Sequence, residues 1–220
     1  MNWSDYRGFL FDMDGTLLDS MGGWRTLRQR ICRKQGLPEQ LGLDAGSLDG
    51  LRVELAKRGM TWTDEAFAEL FYGIMEEEIY QNCGLKPGIR SFLEAARERG
   101  IPMGVVTATR SATALKALQQ AGIGDFFSFL LAVPEFGVDK TKPDIYEAGV
   151  AQLGLAPEEV LVFEDALYCV RTLHTAGFAV VGVEDGVTTP EEWAEIQSLA
   201  GRTISDYRAL LADGCCPPPV

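Results

Sequence analysis

Phe9-Leu10-Phe11-Asp12-Met13-Asp14-Gly15-Thr16-Leu17-Leu18-Asp19-Ser20 joins a short apolar run to two aspartates one residue apart and then to a Gly-Thr turn. The apolar run reads as a buried strand. Gly15 allows a tight backbone turn directly after it, so the carboxyls of Asp12 and Asp14 can face one space beyond the strand's carboxyl end. A calcium-binding loop is excluded, because Gly15 stands too early in the loop and Gly23 replaces the terminal glutamate such loops require.

Outward from this stretch the pattern changes twice. Residues 24–35 and 53–58 read as helices. Within 64–81, Phe67, Leu70, Phe71, Ile74, Ile79 and Tyr80 recur at helical spacing, and no strand-like run interrupts the region. This predicts a helical insert over residues 21–84. Beyond it strands alternate with helices: strands at 103–107, 129–133, 160–163, 179–183 and 203–204, with helices at 88–99, 111–121, 145–153, 167–176 and 207–212. Such alternation argues for right-handed βαβ units and an α/β fold, a doubly wound, Rossmann-like parallel sheet interrupted by an all-helical cap. Residues 1–20 and 85–212 form the expected core. The end, 213–220, with Cys215-Cys216-Pro217-Pro218-Pro219-Val220, reads as a disordered tail.

The net charge of −12 argues against nucleic acid and anionic membranes as partners. No apolar run is long enough to cross a membrane, the N-terminus lacks the order of a signal peptide, and a cytoplasmic location is expected. The five cysteines show no CxxC spacing, which disfavours a disulfide framework or a zinc knuckle. An anionic ligand would be repelled by the average field, so its binding would need local positive charge from a metal ion, a lysine and backbone N–H groups.

In a doubly wound sheet, ligands bind at the carboxyl ends of the strands. Asp12, Thr107 and Glu164-Asp165 each follow or end a predicted strand. The runs Phe11-Asp12-Met13-Asp14-Gly15-Thr16-Leu17-Leu18-Asp19-Ser20, Thr107, Lys140-Thr141-Lys142-Pro143-Asp144-Ile145-Tyr146 and Phe163-Glu164-Asp165-Ala166 resemble, in order, the four motifs of the haloacid dehalogenase-like (HAD) hydrolase superfamily. The similarity spans about residues 7–185, and the insert resembles that superfamily's helical C1-type cap. Two positions depart from the usual pattern: Ala166 and Cys169 stand where Ser and Gly are common.

The resemblance implies a magnesium-dependent phosphoryl-transfer enzyme. Asp12 would be the nucleophile forming an aspartyl phosphate, and Asp14 the acid that protonates the leaving alkoxide and the base that then activates water. Asp12, Asp165 and the backbone carbonyl of Asp14 would hold Mg2+, with Glu164 orienting metal-bound water or completing the acidic rim. Lys140 would neutralise Asp12 and the phosphoryl oxygens, and counting back from Pro143-Asp144 favours it over Lys142. The Thr107 hydroxyl and the N–H groups of Met13 and Ala108 would hold the remaining oxygens.

The expected activity is hydrolysis of a small-molecule phosphate ester, such as a sugar phosphate, by a monomer or homodimer. A phosphomutase of the β-phosphoglucomutase type shares these residues, but 45–51 shows no match to that group's Arg-rich cap loop. A non-catalytic phosphometabolite sensor would not need Asp12 as a nucleophile. His174 reads as a packing or surface residue, and Trp24, Tyr72 and Tyr80 as packing of the cap's own core. Arg110 and Ser20 are weaker candidates for contacting substrate.

Overall fold

A computed structural model describes residues 3–44 and 48–215. It divides into two compact units: residues 1–19 with 84–220, and residues 20–83.

The first unit is built on a six-stranded sheet: β1 (Gly8–Phe11), β2 (Met103–Thr107), β3 (Phe129–Ala132), β4 (Val160–Glu164), β5 (Ala179–Val183) and β6 (Arg202–Ile204). The strand order is β3-β2-β1-β4-β5-β6, and every pairing is parallel. The order reverses direction beside β1, between β1 and β4, which is the crevice where such sheets bind ligands. β1 is central and buried along its whole length, so it carries apolar side chains on both faces. Phe9, Phe11 and Phe163 lie on one face with Phe92 and Tyr207, and the Phe11 and Phe163 rings stack at 4.5 Å. Leu10, Val106 and Val162 lie on the other, with Ile145, Tyr146 and Val150. These alternate positions follow the two-residue period of a strand.

Gly104 of β2 has a packing reason. A Cβ there would collide with the Phe129 ring of β3, so glycine lets that ring lie against the β2 backbone. The helices of this unit, numbered after four in the insert, are α5 (Ile89–Glu98), α6 (Ser111–Gln120), the short α7 (Val133–Phe136), α8 (Asp144–Leu153), α9 (Leu167–Thr175), α10 (Pro190–Leu199) and α11 (Arg208–Ala212). The two chain crossings to the insert run side by side: the Asp19 N–H donates to the Gly84 carbonyl at 2.9 Å, and the Lys86 N–H to the Leu17 carbonyl at 3.0 Å.

The second unit is helical: α1 (Met21–Lys34), α2 (Glu39–Asp44), α3 (Leu48–Ala56), α4 (Asp64–Ile74) and a wider-wound turn, Met75–Tyr80. Thr63 caps α4 by accepting from the Ala66 N–H at 3.2 Å. Trp24 meets Phe71 edge-on at 5.7 Å, Tyr72 meets Phe71 at 4.8 Å, and Tyr80 is buried. Glu78 pairs with Arg30 and Arg33. Sequence periodicity ran α4 and the Met75–Tyr80 turn together and missed α2, whose six residues are too short to show a period.

Residues 45–47 of the cap loop and 216–220 of the terminal segment lie outside the described residues. Of the expected tail, 213–220, the exposed Asp213 pairs with Arg202 at 2.7 Å, and Cys215 is buried. Among the described residues no helix is long and apolar enough to cross a membrane.

Candidate active site

Asp12 leaves β1 at its carboxyl end, where its N–H donates to the Phe163 carbonyl of β4 at 3.0 Å. This continues the ladder past the strand and sets Asp12 beside the Glu164-Asp165 pair. Gly15 then adopts φ 82°, a left-handed conformation that a side chain would strain. The turn closes on the Met13 carbonyl, which accepts from the Leu17 and Leu18 N–H groups at 2.9 Å each. Met13 is buried, while Asp14 is half-buried. The Thr109 hydroxyl donates to Asp14 Oδ2 at 2.9 Å.

Thr107 ends β2 and is fully buried. Its oxygen accepts the Thr109 N–H at 3.1 Å, and accepting does not consume the hydroxyl's own proton. Ala108 lies exposed between these threonines. Lys140, only 2% exposed, lies just before α8. Its ammonium bonds Asp12 Oδ1 and pairs with Glu164 Oε1 at 2.5 Å. Lys142 is exposed. Asp165 is held by the Thr16 hydroxyl, which donates to Oδ1 at 3.1 Å. Below it the Tyr207 hydroxyl donates to the Thr16 carbonyl at 3.2 Å.

Asp12, Glu164 and Asp165 each offer a carboxylate oxygen within 4.8 Å of the others, and all three are buried. Their charges oppose one another. Burial pushes the Asp12 carboxyl up to about 8 against the pull of Lys140, with Glu164 and Asp14 adding to the rise. Burial, then Asp12, Glu164 and Asp185, raise Asp165 well above the usual carboxylate range. Burial alone would lower the Lys140 ammonium, but Asp12 and Glu164 outweigh it and hold it well above its ordinary value. Three clustered carboxyls thus share one lysine, and an all-oxygen donor set of this kind suits a hard divalent cation, which would displace their protons. One polar atom points the same way, for Glu164 Oε2 is buried and has no hydrogen-bond partner.

The family model for haloacid dehalogenase-like hydrolases matches residues 6–177. The chain belongs to the haloacid dehalogenase-like hydrolases. Within that family it is 31% identical to hexitol phosphatase A of Escherichia coli K12, over 84% of this chain and 86% of the relative. It is 26% identical to the phosphoglycolate phosphatase of Yersinia pseudotuberculosis, over 82% of both. In fold it is similar to a HAD family hydrolase from Deinococcus radiodurans R1 whose crystal structure holds phosphate and sodium, with a TM-score of 0.72, 22% identity, and coverage of 98% of this chain and 99% of the other.

The structure of this HAD hydrolase brings Asp12, Lys140, Glu164 and Asp165 together and puts Asp14 and Thr107 on the same sheet edge through Thr109. Arg110 bonds Thr113 on its own helix start at 2.9 Å. His174 is exposed, with Nδ1 3.0 Å from the Leu199 carbonyl. Four residues of the network were not singled out from sequence: Thr16, Thr109, Tyr146 and Tyr207. Thr16 and Thr109 sit in turns that follow strand ends, a position that marks them in retrospect. Tyr207 is distant in sequence and carries no such mark, and the spacing of the third motif does not distinguish Tyr146.

Proposed function

We propose that this HAD hydrolase is a magnesium-dependent phosphatase that removes the phosphoryl group from a small phosphorylated metabolite through an aspartyl phosphate on Asp12. The observation that carries this reading is the Asp12 carboxylate, buried and bonded by Lys140 beside Asp165, with Asp14 held separately by Thr109. The names of the phosphatase relatives support the same substrate class.

A free Asp12 oxygen attacks phosphorus. An Asp12–phosphorus bond forms, the ester oxygen–phosphorus bond breaks, and the Asp14 proton passes to the departing alkoxide. Asp14, now a carboxylate, takes a proton from water as that water attacks the aspartyl phosphate. Phosphate leaves and Asp12 is restored. Lys140 and the Thr107 hydroxyl stabilise the charge on the phosphoryl oxygens. Asp12, Asp165 and the Asp14 carbonyl would hold Mg2+, which when bound supplies positive charge against the phosphate and the clustered carboxylates. Thr109 bonds Asp14 while Lys140 bonds Asp12, so the acid–base group and the nucleophile are held by different partners.

The test is release of inorganic phosphate from a panel of sugar, polyol and short-acid phosphate esters, with Mg2+ and with EDTA. Wild-type protein is expected to hydrolyse at least one ester only with Mg2+, and Asp12→Asn to lose that activity. A folded wild-type protein inert to every ester refutes the phosphatase reading. Undiminished turnover by Asp12→Asn refutes Asp12 as the nucleophile.

A further inference from the structure

Tyr146 stands in the first turn of α8 with its side chain buried against the sheet. Its hydroxyl donates to Glu164 Oε1 at 2.7 Å. Lys140 pairs with the same oxygen at 2.5 Å, and the Lys140 ammonium lies 5.7 Å from the centre of the Tyr146 ring. Both donors thus converge on Oε1, while Oε2 of the same carboxylate is buried without a hydrogen-bond partner. Leaving a buried carboxylate oxygen bare costs free energy unless something else supplies positive charge or a donor.

A carboxylate turns about its terminal torsion, which is broad and nearly two-fold. Lys140 alone does not fix that torsion, because its ammonium must also serve Asp12. A second donor from a rigid helix does.

We propose that Tyr146 is a positioning residue for the metal site, locking the Glu164 carboxylate so that Oε2 stays open to the bound cation or its water. This deepens the phosphatase reading and rests on it for the identity of the cation. It assigns Tyr146 no contact with substrate. Outer residues that orient metal-binding groups typically change metal affinity or activity by about 10–100-fold when removed.

The experiment measures Mg2+ and Mn2+ binding by calorimetry, without substrate, for wild type, Tyr146→Phe, Glu164→Gln and the double variant. Phenylalanine keeps the ring in the core. Melting temperature in EDTA is recorded first, and binding is read below it. Tyr146→Phe is expected to weaken Mg2+ by about tenfold, at the lower end of the range for such residues. The double variant should bind no more weakly than Glu164→Gln, because Tyr146 acts only through that carboxylate. Affinity within twofold of wild type in Tyr146→Phe overturns the proposal, as do losses that add in the double variant or a wild type that binds neither ion. If Tyr146→Phe does not fold, Mn2+ spectra of Glu164→Gln carry the test: an electron paramagnetic signal identical to wild type overturns it, and an altered one supports it. Metal binding that responds as expected in a protein inert to all esters would uphold the Tyr146 assignment while the phosphatase reading falls.

Discussion

Replacing Lys140 with methionine keeps an unbranched apolar stem and removes the only cation bonded to both Asp12 and Glu164 among the described residues. At 2.5 Å, the Glu164 pair alone corresponds to about 6–7 kcal/mol of attraction at an effective dielectric of about 20. Dehydration of the lysine opposes part of this. Breaking a buried pair by removing one partner typically costs about 3–5 kcal/mol, because a carboxylate is left buried and unmatched. With a urea m-value of about 2 kcal/mol per molar, that is a midpoint shift of roughly 2 M. Urea unfolding of wild type and Lys140→Met, both in EDTA, measures it. The sign with pH is fixed by the raised carboxyls. Asp12 and Asp165 bind protons more tightly folded than unfolded, so their contribution is greatest below the unfolded carboxyl pKa and is lost as pH rises toward the folded value, about 8 for Asp12. Without Lys140 the folded values rise further, so that loss extends to higher pH. The gap between the proteins should therefore stay nearly level from about pH 5 to about pH 8 and widen above it. A gap below about 1 kcal/mol at neutral pH, or one that narrows as pH rises, would refute this account of the cluster.

Three further outcomes are expected. Mg2+ should raise the melting temperature more at about pH 8 than at about pH 5, because protons compete for the same carboxyls; at a hundred times its dissociation constant the gain is about 2.7 kcal/mol, and a gain independent of pH would contradict the shared site. Thr109→Val removes the donor to Asp14 Oδ2 and should lower kcat by about tenfold, the worth of one such bond, with KM for the ester little changed; steady-state kinetics showing the loss in KM alone would place Thr109 elsewhere in the mechanism. Gly104→Ala drives a methyl into the Phe129 ring and should cost about 1–3 kcal/mol in urea unfolding, an effect that unchanged stability would exclude.

Much of this arrangement is legible in the chain itself because it is local. The strands follow from continuous apolar runs such as Val160-Leu161-Val162-Phe163, and their alternation with helices leaves a parallel doubly wound sheet as the economical solution. Position at a strand's carboxyl end then nominates Asp12, Thr107 and Asp165 without reference to side-chain contacts. The choice between Lys140 and Lys142 had only motif spacing behind it, and the structure puts Lys140 on Asp12 and leaves Lys142 exposed.

What tertiary structure alone decides is which groups share a buried volume. Glu164, expected to orient metal-bound water or complete the acidic rim, is wholly buried and bonded through one oxygen to Lys140 and Tyr146. No spacing announces that bond, because Tyr146 and Glu164 meet only when α8 packs on the sheet face that carries Leu10, Val106 and Val162. Asp12, Met13 and Asp14 show the same division within a single turn. Their order in the chain determined that two carboxyls leave one strand end together. Only packing put Asp12 in a buried cluster with Asp165 and Asp14 in a half-buried position bonded by Thr109, because the whole fold, not sequence distance, sets which groups are buried and which partners they meet.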